Sequence, residues 1–156
     1  MDLSFKFDNK KFNYRVCGII INNNKLLAMK DGRSPYFYLP GGRVQFGETA
    51  ENAILRELRE ELSIDARIVR PLFLSQSFFN EDVTKIDFHE LCLYFLIDIS
   101  HTSLPFEDFL GTETAKKQQF YWLDFDTVKK SYLYPLFIKD RIDSLPANLE
   151  ILTEYN

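Results

Sequence analysis

Three glutamates, Glu57, Glu60 and Glu61, crowd into five consecutive positions of a 156-residue chain. On a helix turning about 100° per residue, their carboxylates share an arc of about 100°. That arc borders the apolar stripe of Ile54, Leu55, Leu58 and Leu62 instead of lying opposite it. Like charges one turn apart destabilise a helix by about 0.2–0.5 kcal/mol per pair. Acidic runs are common on solvated helix faces, and on that plain reading exposure dissipates the repulsion. The position against the stripe favours a second reading, in which a hard divalent cation removes the conflict. Oxygen ligands suit magnesium, or manganese in its place, with waters and phosphate oxygens completing the shell.

Such a cluster needs a helix, a loop to feed it and a sheet behind it. Thr49 can cap a helix running from about Ala50 to Leu62, with Glu51 in its first turn and Ser63 at its end. Pro40-Gly41-Gly42 and Gly47 bracket the approach, where a ligand or simply a tight turn would need backbone without side chains. Glu48 sits just outside the helix, and Arg56 is spaced to pair with Glu60. Upstream, Tyr14 to Ile21 and Lys25 to Lys30 are predicted strands joined by a turn at Asn22-Asn23-Asn24, followed by a short aromatic strand from Tyr36 to Leu39. Downstream, Ala66 to Leu74, Phe88 to Ile99 and Phe120 to Leu123 are predicted strands, and Ser75 to Asp87 and Leu104 to Gln119 loops. A last helix is expected from Asp124 or Asp126 to about Asp140.

Gly42, five residues, Glu48, seven residues, Arg56-Glu57-Leu58, one residue, then Glu60-Glu61 resembles the Nudix box at nearly every fixed position. Ile64 fills its closing apolar position, and Ser63 stands where the pattern has glycine. The flanking hairpin and the later strand and helix order extend the resemblance to most of the chain. It implies an α/β fold, an α/β/α sandwich around a mixed β-sheet, as a single domain over residues 1–156. It also implies hydrolysis of a nucleoside diphosphate linked to another moiety, with Mg²⁺ or Mn²⁺ as cofactor. Glu57, Glu60 and Glu61 would be metal ligands, with Gly42 lending its backbone carbonyl, and Glu48 and Arg56 would hold loop and helix together. A further acid outside the box completes many such sites. Glu113, in a loop, and Glu90, beside His89 on a strand, are the two candidates.

Loose aromatics and a cation are candidates for the substrate: Tyr36, one of Phe78 and Phe79, and Arg33, together with Glu90. A nucleoside triphosphate is the first substrate expected, and ADP-ribose or another nucleotide sugar the alternative within the same chemistry. A regulatory module that binds a nucleotide without cleaving it is the alternative outside it. A formal charge of −4 and no basic stripe argue against a nucleic-acid polymer as partner. The chain has no run of 18 apolar residues and no leader pattern, which predicts a cytoplasmic protein, monomer or homodimer, away from membranes. Cys17 and Cys92, the only cysteines, lie in apolar runs and are predicted buried and reduced.

Overall fold

The computed structural model describes residues 1–32 and 34–155. Its strands are β1 (Ser4–Phe7), β2 (Lys10–Asn22), β3 (Lys25–Lys30), β4 (Gly41–Arg43), β5 (Arg67–Asn80), β6 (Asp87–Asp98), β7 (Phe109–Leu110), β8 (Gln119–Asp124) and β9 (Glu150–Tyr155). The helices are α1 (Ala50–Leu62), α2 (Phe125–Lys130) and α3 (Ile138–Arg141). The strands form one sheet in the order β7-β8-β3-β2-β6-β5-β9, with β1 and β4 also paired onto β2. The β2–β6 and β5–β9 pairs are parallel and the others antiparallel, so the sheet is mixed.

Alternation along β2 separates two cores. Val16 and Ile20 face α1, where they pack with Ile54, Leu58 and Leu62. Cys17 and Ile19 face the other way, toward Val128 of α2 and Ile138 of α3. The result is the α/β/α sandwich. Burying Ile54 and Leu58 completely stabilises the α1 layer by about 1.5–3 kcal/mol each.

The helix α1 has the predicted bounds. Its N-cap is Thr49, whose side chain accepts from the backbone N–H of Asn52 at 3.1 Å. Its C-cap is Ser63, which takes the left-handed conformation (φ 54, ψ 40) expected of glycine there and donates its N–H to Arg59 O. The hairpin is also as predicted, with Asn23 and Asn24 both at positive φ (50 and 57). Cys17 and Cys92 are free and buried, their sulfurs 3.7 Å apart.

Three expectations need correction. The segment from Ser75 to Asp87 is not a loop: β5 runs on to Asn80 and β6 begins at Asp87, so only the residues between them turn. Its polar residues are strand residues, and Ser75 is buried with its hydroxyl donating to Glu154 of β9 at 3.0 Å. The helix expected from Asp124 to Asp140 is two short ones, because the chain leaves α2 at Ser131 and passes Pro135, which has no N–H to donate. Tyr36 to Leu39 makes only isolated bridges, at Phe37 and Tyr38. The strands β1 and β9, at the ends of the chain, were not anticipated.

Among the described residues, no helix is long and apolar enough to cross a membrane. Ser63→Gly is expected to raise the stability of the protein, since a non-glycine residue in the left-handed region costs about 1–2 kcal/mol and the added unfolded-state freedom of glycine offsets only part of that. Thermal denaturation of the two proteins checks it, and an unchanged or lower midpoint would contradict the strain at this cap.

Candidate active site

The sequence around α1 brings its own charge to the boundary between helix and sheet. Glu57 and Glu61 are buried, with side chains directed at β4, while Glu60 is exposed. Glycine is required opposite Glu57. A Cβ placed on Gly42 would lie 2.3 Å from Glu57 Cδ and Oε1, so any side chain there must displace the carboxylate. Next to it, the Gly41 N–H donates to Glu61 Oε1 at 3.2 Å.

Arg56 ties the approach loop to the helix. Its Nε and Nη2 donate to the two oxygens of Glu48 at 2.7 and 3.0 Å, a bidentate pair, and Nη2 also donates to Arg43 O at 3.0 Å. Its Nη1 reaches Glu57 Oε1 at 3.0 Å and Glu60 Oε1 at 3.3 Å. Glu48 in turn accepts from the Gln45 N–H at 3.0 Å. The bond from Arg56, foremost among several causes, holds the Glu48 carboxyl below its ordinary pKa.

The buried pair behaves oppositely. Burial raises Glu57, with Arg56 opposing the shift. Burial first, and the charge of Glu57 second, raise Glu61 from the ordinary 4.5 to about 8. Glu57 Oε2 and Glu61 Oε2 are buried without any hydrogen-bond partner.

The loop after β7 closes over this pair. Thr112 donates its N–H to Glu61 O at 2.8 Å and its hydroxyl to Glu60 O at 2.9 Å, satisfying carbonyls at the C-terminal end of α1. That contact seats Glu113 and Lys116 beside the helix. Lys116 Nζ lies 3.3 Å from Glu113 Oε2 and also feels the charges of Glu61 and Glu57. Glu113 Oε2 is a third buried carboxylate oxygen without a hydrogen bond, its contact with Lys116 being an ion pair outside hydrogen-bond geometry.

Orphaned carboxylate oxygens facing a glycine backbone form a hard, all-oxygen donor set, and they fit a divalent cation of the magnesium type. Among the described residues no three acidic, histidine or cysteine side chains already converge in metal-ligand geometry. Glu60 in particular is held outward by Arg56.

Of the other sequence candidates, Glu90 lies on the sheet face away from α1, in register with Asn13 and near Cys92. Tyr36 packs edge-on against Tyr38, Tyr132 and Tyr134, so it belongs to an aromatic cluster beside β3. Phe78 and Phe79 stand on β5, not in a loop. Phe78 lies 4.5 Å from the His89 ring and stacks on Tyr155 at 5.4 Å, and Phe79 stacks on Phe88 at 4.8 Å. The row holding Phe78 meets β2 at Phe12, about 13 Å along the strand from Val16, the partner of Gly42. The structure therefore does not bring Phe78 or Phe79 to the glutamates. Arg33 falls outside the described residues. Sequence reasoning missed Thr112 and Lys116, for which no spacing gives a signal, and Arg15, whose signal was a charge inside an apolar strand.

The Glu61 shift has a consequence for stability. A carboxyl whose folded pKa exceeds its unfolded value holds its proton more tightly in the folded state. The stability it contributes is fully present below the unfolded pKa and is lost as pH rises through the folded one. In EDTA, the midpoint of thermal unfolding is expected to fall as pH rises from 4.5 to about 8, and Glu61→Gln to flatten that decline. A Glu61→Gln protein with the parent's pH profile would show that this carboxyl is not the cause.

Residues 11–141 match the model of the NUDIX domain family. The chain is 32% identical over 128 residues to an ADP-ribose pyrophosphatase of Methanocaldococcus jannaschii, an overlap of 80% of this chain and 70% of that protein. It is 38% identical over 63 residues to an 8-oxo-dGTP diphosphatase of Proteus vulgaris, covering 37% of this chain and 55% of that one. Its fold resembles that of the mutator protein MutT from Bacillus halodurans, with a TM-score of 0.66 at 14% identity over 92% of this chain and 90% of the other. With a family match across most of its length and a box whose arginine, glutamates and glycine meet in one place, this chain belongs to the Nudix hydrolase family.

Proposed function

We propose that this Nudix hydrolase cleaves a phosphoanhydride bond of a nucleoside diphosphate-linked compound with Mg²⁺, and that a nucleoside triphosphate is its first substrate class. The observation that carries the reading is the pair of buried, unpartnered oxygens of Glu57 and Glu61 beside a glycine that admits no side chain. A nucleotide sugar is the second reading, favoured by the overlap with the relative named ADP-ribose pyrophosphatase.

Glu57, Glu60 and Glu61 would hold the cation, with the Gly42 carbonyl beside them. The bound ion supplies neutralisation of phosphoryl oxygens and activation of water. Arg56 fixes Glu57 and binds the loop through Glu48, so the carboxylates are oriented before substrate arrives. Burial raises the Glu61 carboxyl to about 8, so a cation bound there would take the place of its proton. Glu113 would accept a proton from water, with Lys116, 3.3 Å from its Oε2, as counter-charge. Two free thiols 3.7 Å apart suit a reducing compartment, in accord with a cytoplasmic site of action.

The assay is release of phosphate, pyrophosphate or nucleotide from triphosphates, dinucleoside polyphosphates and nucleotide sugars, across a Mg²⁺ titration. Glu60→Gln and Glu61→Gln are expected to slow turnover by roughly 10²–10³-fold, a loss of about 3–4 kcal/mol of transition-state stabilisation, while the metal-free fold is kept. Near-parent turnover in either variant would defeat the assignment. Gly42→Ala is expected to lose activity comparably with an unchanged circular dichroism spectrum, because the new methyl group displaces the Glu57 carboxylate that Arg56 pins.

A further inference from the structure

The face of the sheet away from α1 carries a cation that the cluster around Glu57 does not use. Arg15 stands on β2 on the same side as Asn13 and Cys17, and across the parallel pair it neighbours Glu90 and Cys92. Its Nε is buried without a hydrogen-bond partner. Its interaction with Glu90 acts through space, with no hydrogen bond between them. Glu90 is itself anchored: Asn13 Nδ2 donates to its Oε2 at 2.9 Å, and Ser4 Oγ donates to Asn13 Oδ1 at 2.6 Å. On the other side Tyr38, which also feels the charge of Arg15, stacks on Tyr134 with ring centroids 6.4 Å apart.

Arg15 is half-buried, and its buried Nε is a donor without an acceptor, a cost that an arriving acceptor would relieve. A phosphate would meet the guanidinium but also the nearby Glu90 carboxylate, and like charges at that range oppose it. A neutral planar edge with an acceptor next to a donor suits both side chains at once. Keto nucleobases have that edge. Guanine and uracil carry a carbonyl beside a ring N–H, so the carbonyl accepts from Arg15 and the N–H donates to Glu90. Adenine and cytosine carry an amino group at the same carbon and a bare nitrogen beside it. Held by the ribose and phosphates in the same orientation, they would set donor against donor and lone pair against carboxylate. The neighbouring tyrosine rings offer the base a flat wall.

We propose that Arg15 and Glu90 form a base-recognition site selecting a keto nucleobase, guanine or uracil, over adenine and cytosine. The proposal rests on the reading that the substrate is a nucleotide and names which nucleotides. Val16, next to Arg15, is the β2 partner of Gly42, so the two groups share one stretch of the strand although their side chains leave opposite faces.

The test separates binding from turnover. Calorimetric titration of the protein in EDTA with GMP, UMP, AMP and CMP is expected to give Kd values about tenfold or more lower for GMP and UMP. Arg15→Met keeps the length of the side chain and removes its donors, and Glu90→Gln keeps the shape and the Asn13 bond while adding a donor. Each is expected to erase the keto preference. Because Arg15→Met also removes the attraction between Arg15 and Glu90, its melting temperature is measured beside the titration, and Glu90→Gln tests the same site should that variant fail to fold. Equal affinities, a preference for AMP or CMP, no binding of any monophosphate, or a preference that survives both substitutions overturns the proposal. Mg²⁺-dependent cleavage is scored separately, so an inactive protein that discriminates among the monophosphates would count against the hydrolase reading and for this one.

Discussion

Two carboxylates buried between one helix and a glycine strand are the constraint on which the rest of this molecule turns. Glu57 and Glu61 each have one oxygen bonded, to Arg56 and to the Gly41 N–H, and one oxygen bonded to nothing. Burial without full pairing is tolerable only where surrounding packing holds the groups in place, and here the stripe of Ile54, Leu58 and Leu62 does so. The same constraint explains Gly42, where a side chain would occupy the space that the Glu57 carboxylate needs; a side chain on Gly41 would strike the backbone of Val16 and Cys17 on β2.

Arg56 is the counterpart of that strain. One guanidinium spans the approach loop, through Glu48 and the Arg43 carbonyl, and the helix, through Glu57 and Glu60. A lysine could not do this, because it offers a point charge and not a planar fork of donors. The loop carrying Glu113 is fastened differently, by Thr112 at the exposed carbonyls of the helix end.

The sheet divides the molecule's work between its faces. On one side α1 brings negative charge to β4; on the other, Arg15, Glu90 and the tyrosines form a polar and aromatic surface beside α2 and α3. Register alone makes this division. Side chains alternate along β2, so Val16 lies against the helix layer while Arg15, one residue earlier, projects from the opposite face.

Local interactions were legible in the sequence. The bounds of α1, its Thr49 cap, the Asn23-Asn24 turn and the pairing of Arg56 with Glu48 and Glu60 follow from spacings of three, four and eight residues, short enough for neighbouring residues to dictate them. Ser63 shows the limit of such a pattern, since the left-handed cap formed without the expected glycine. What the sequence could not settle were features whose cause lies in a distant segment. Ser75 to Asn80 look like loop residues until β6 and β9 pair with them, and Phe78 and Phe79 then lie in a remote aromatic row. Lys116 and Thr112 acquire a role only when their loop reaches the end of a helix some fifty residues earlier in the chain. Arg15 reads as a misplaced charge in an apolar strand until the parallel pairing with β6 sets Glu90 beside it. The sequence determined the chemistry it could write within one helix and its approach loop; tertiary structure decided which face each remaining side chain meets, because strand pairing acts between segments far apart in the chain.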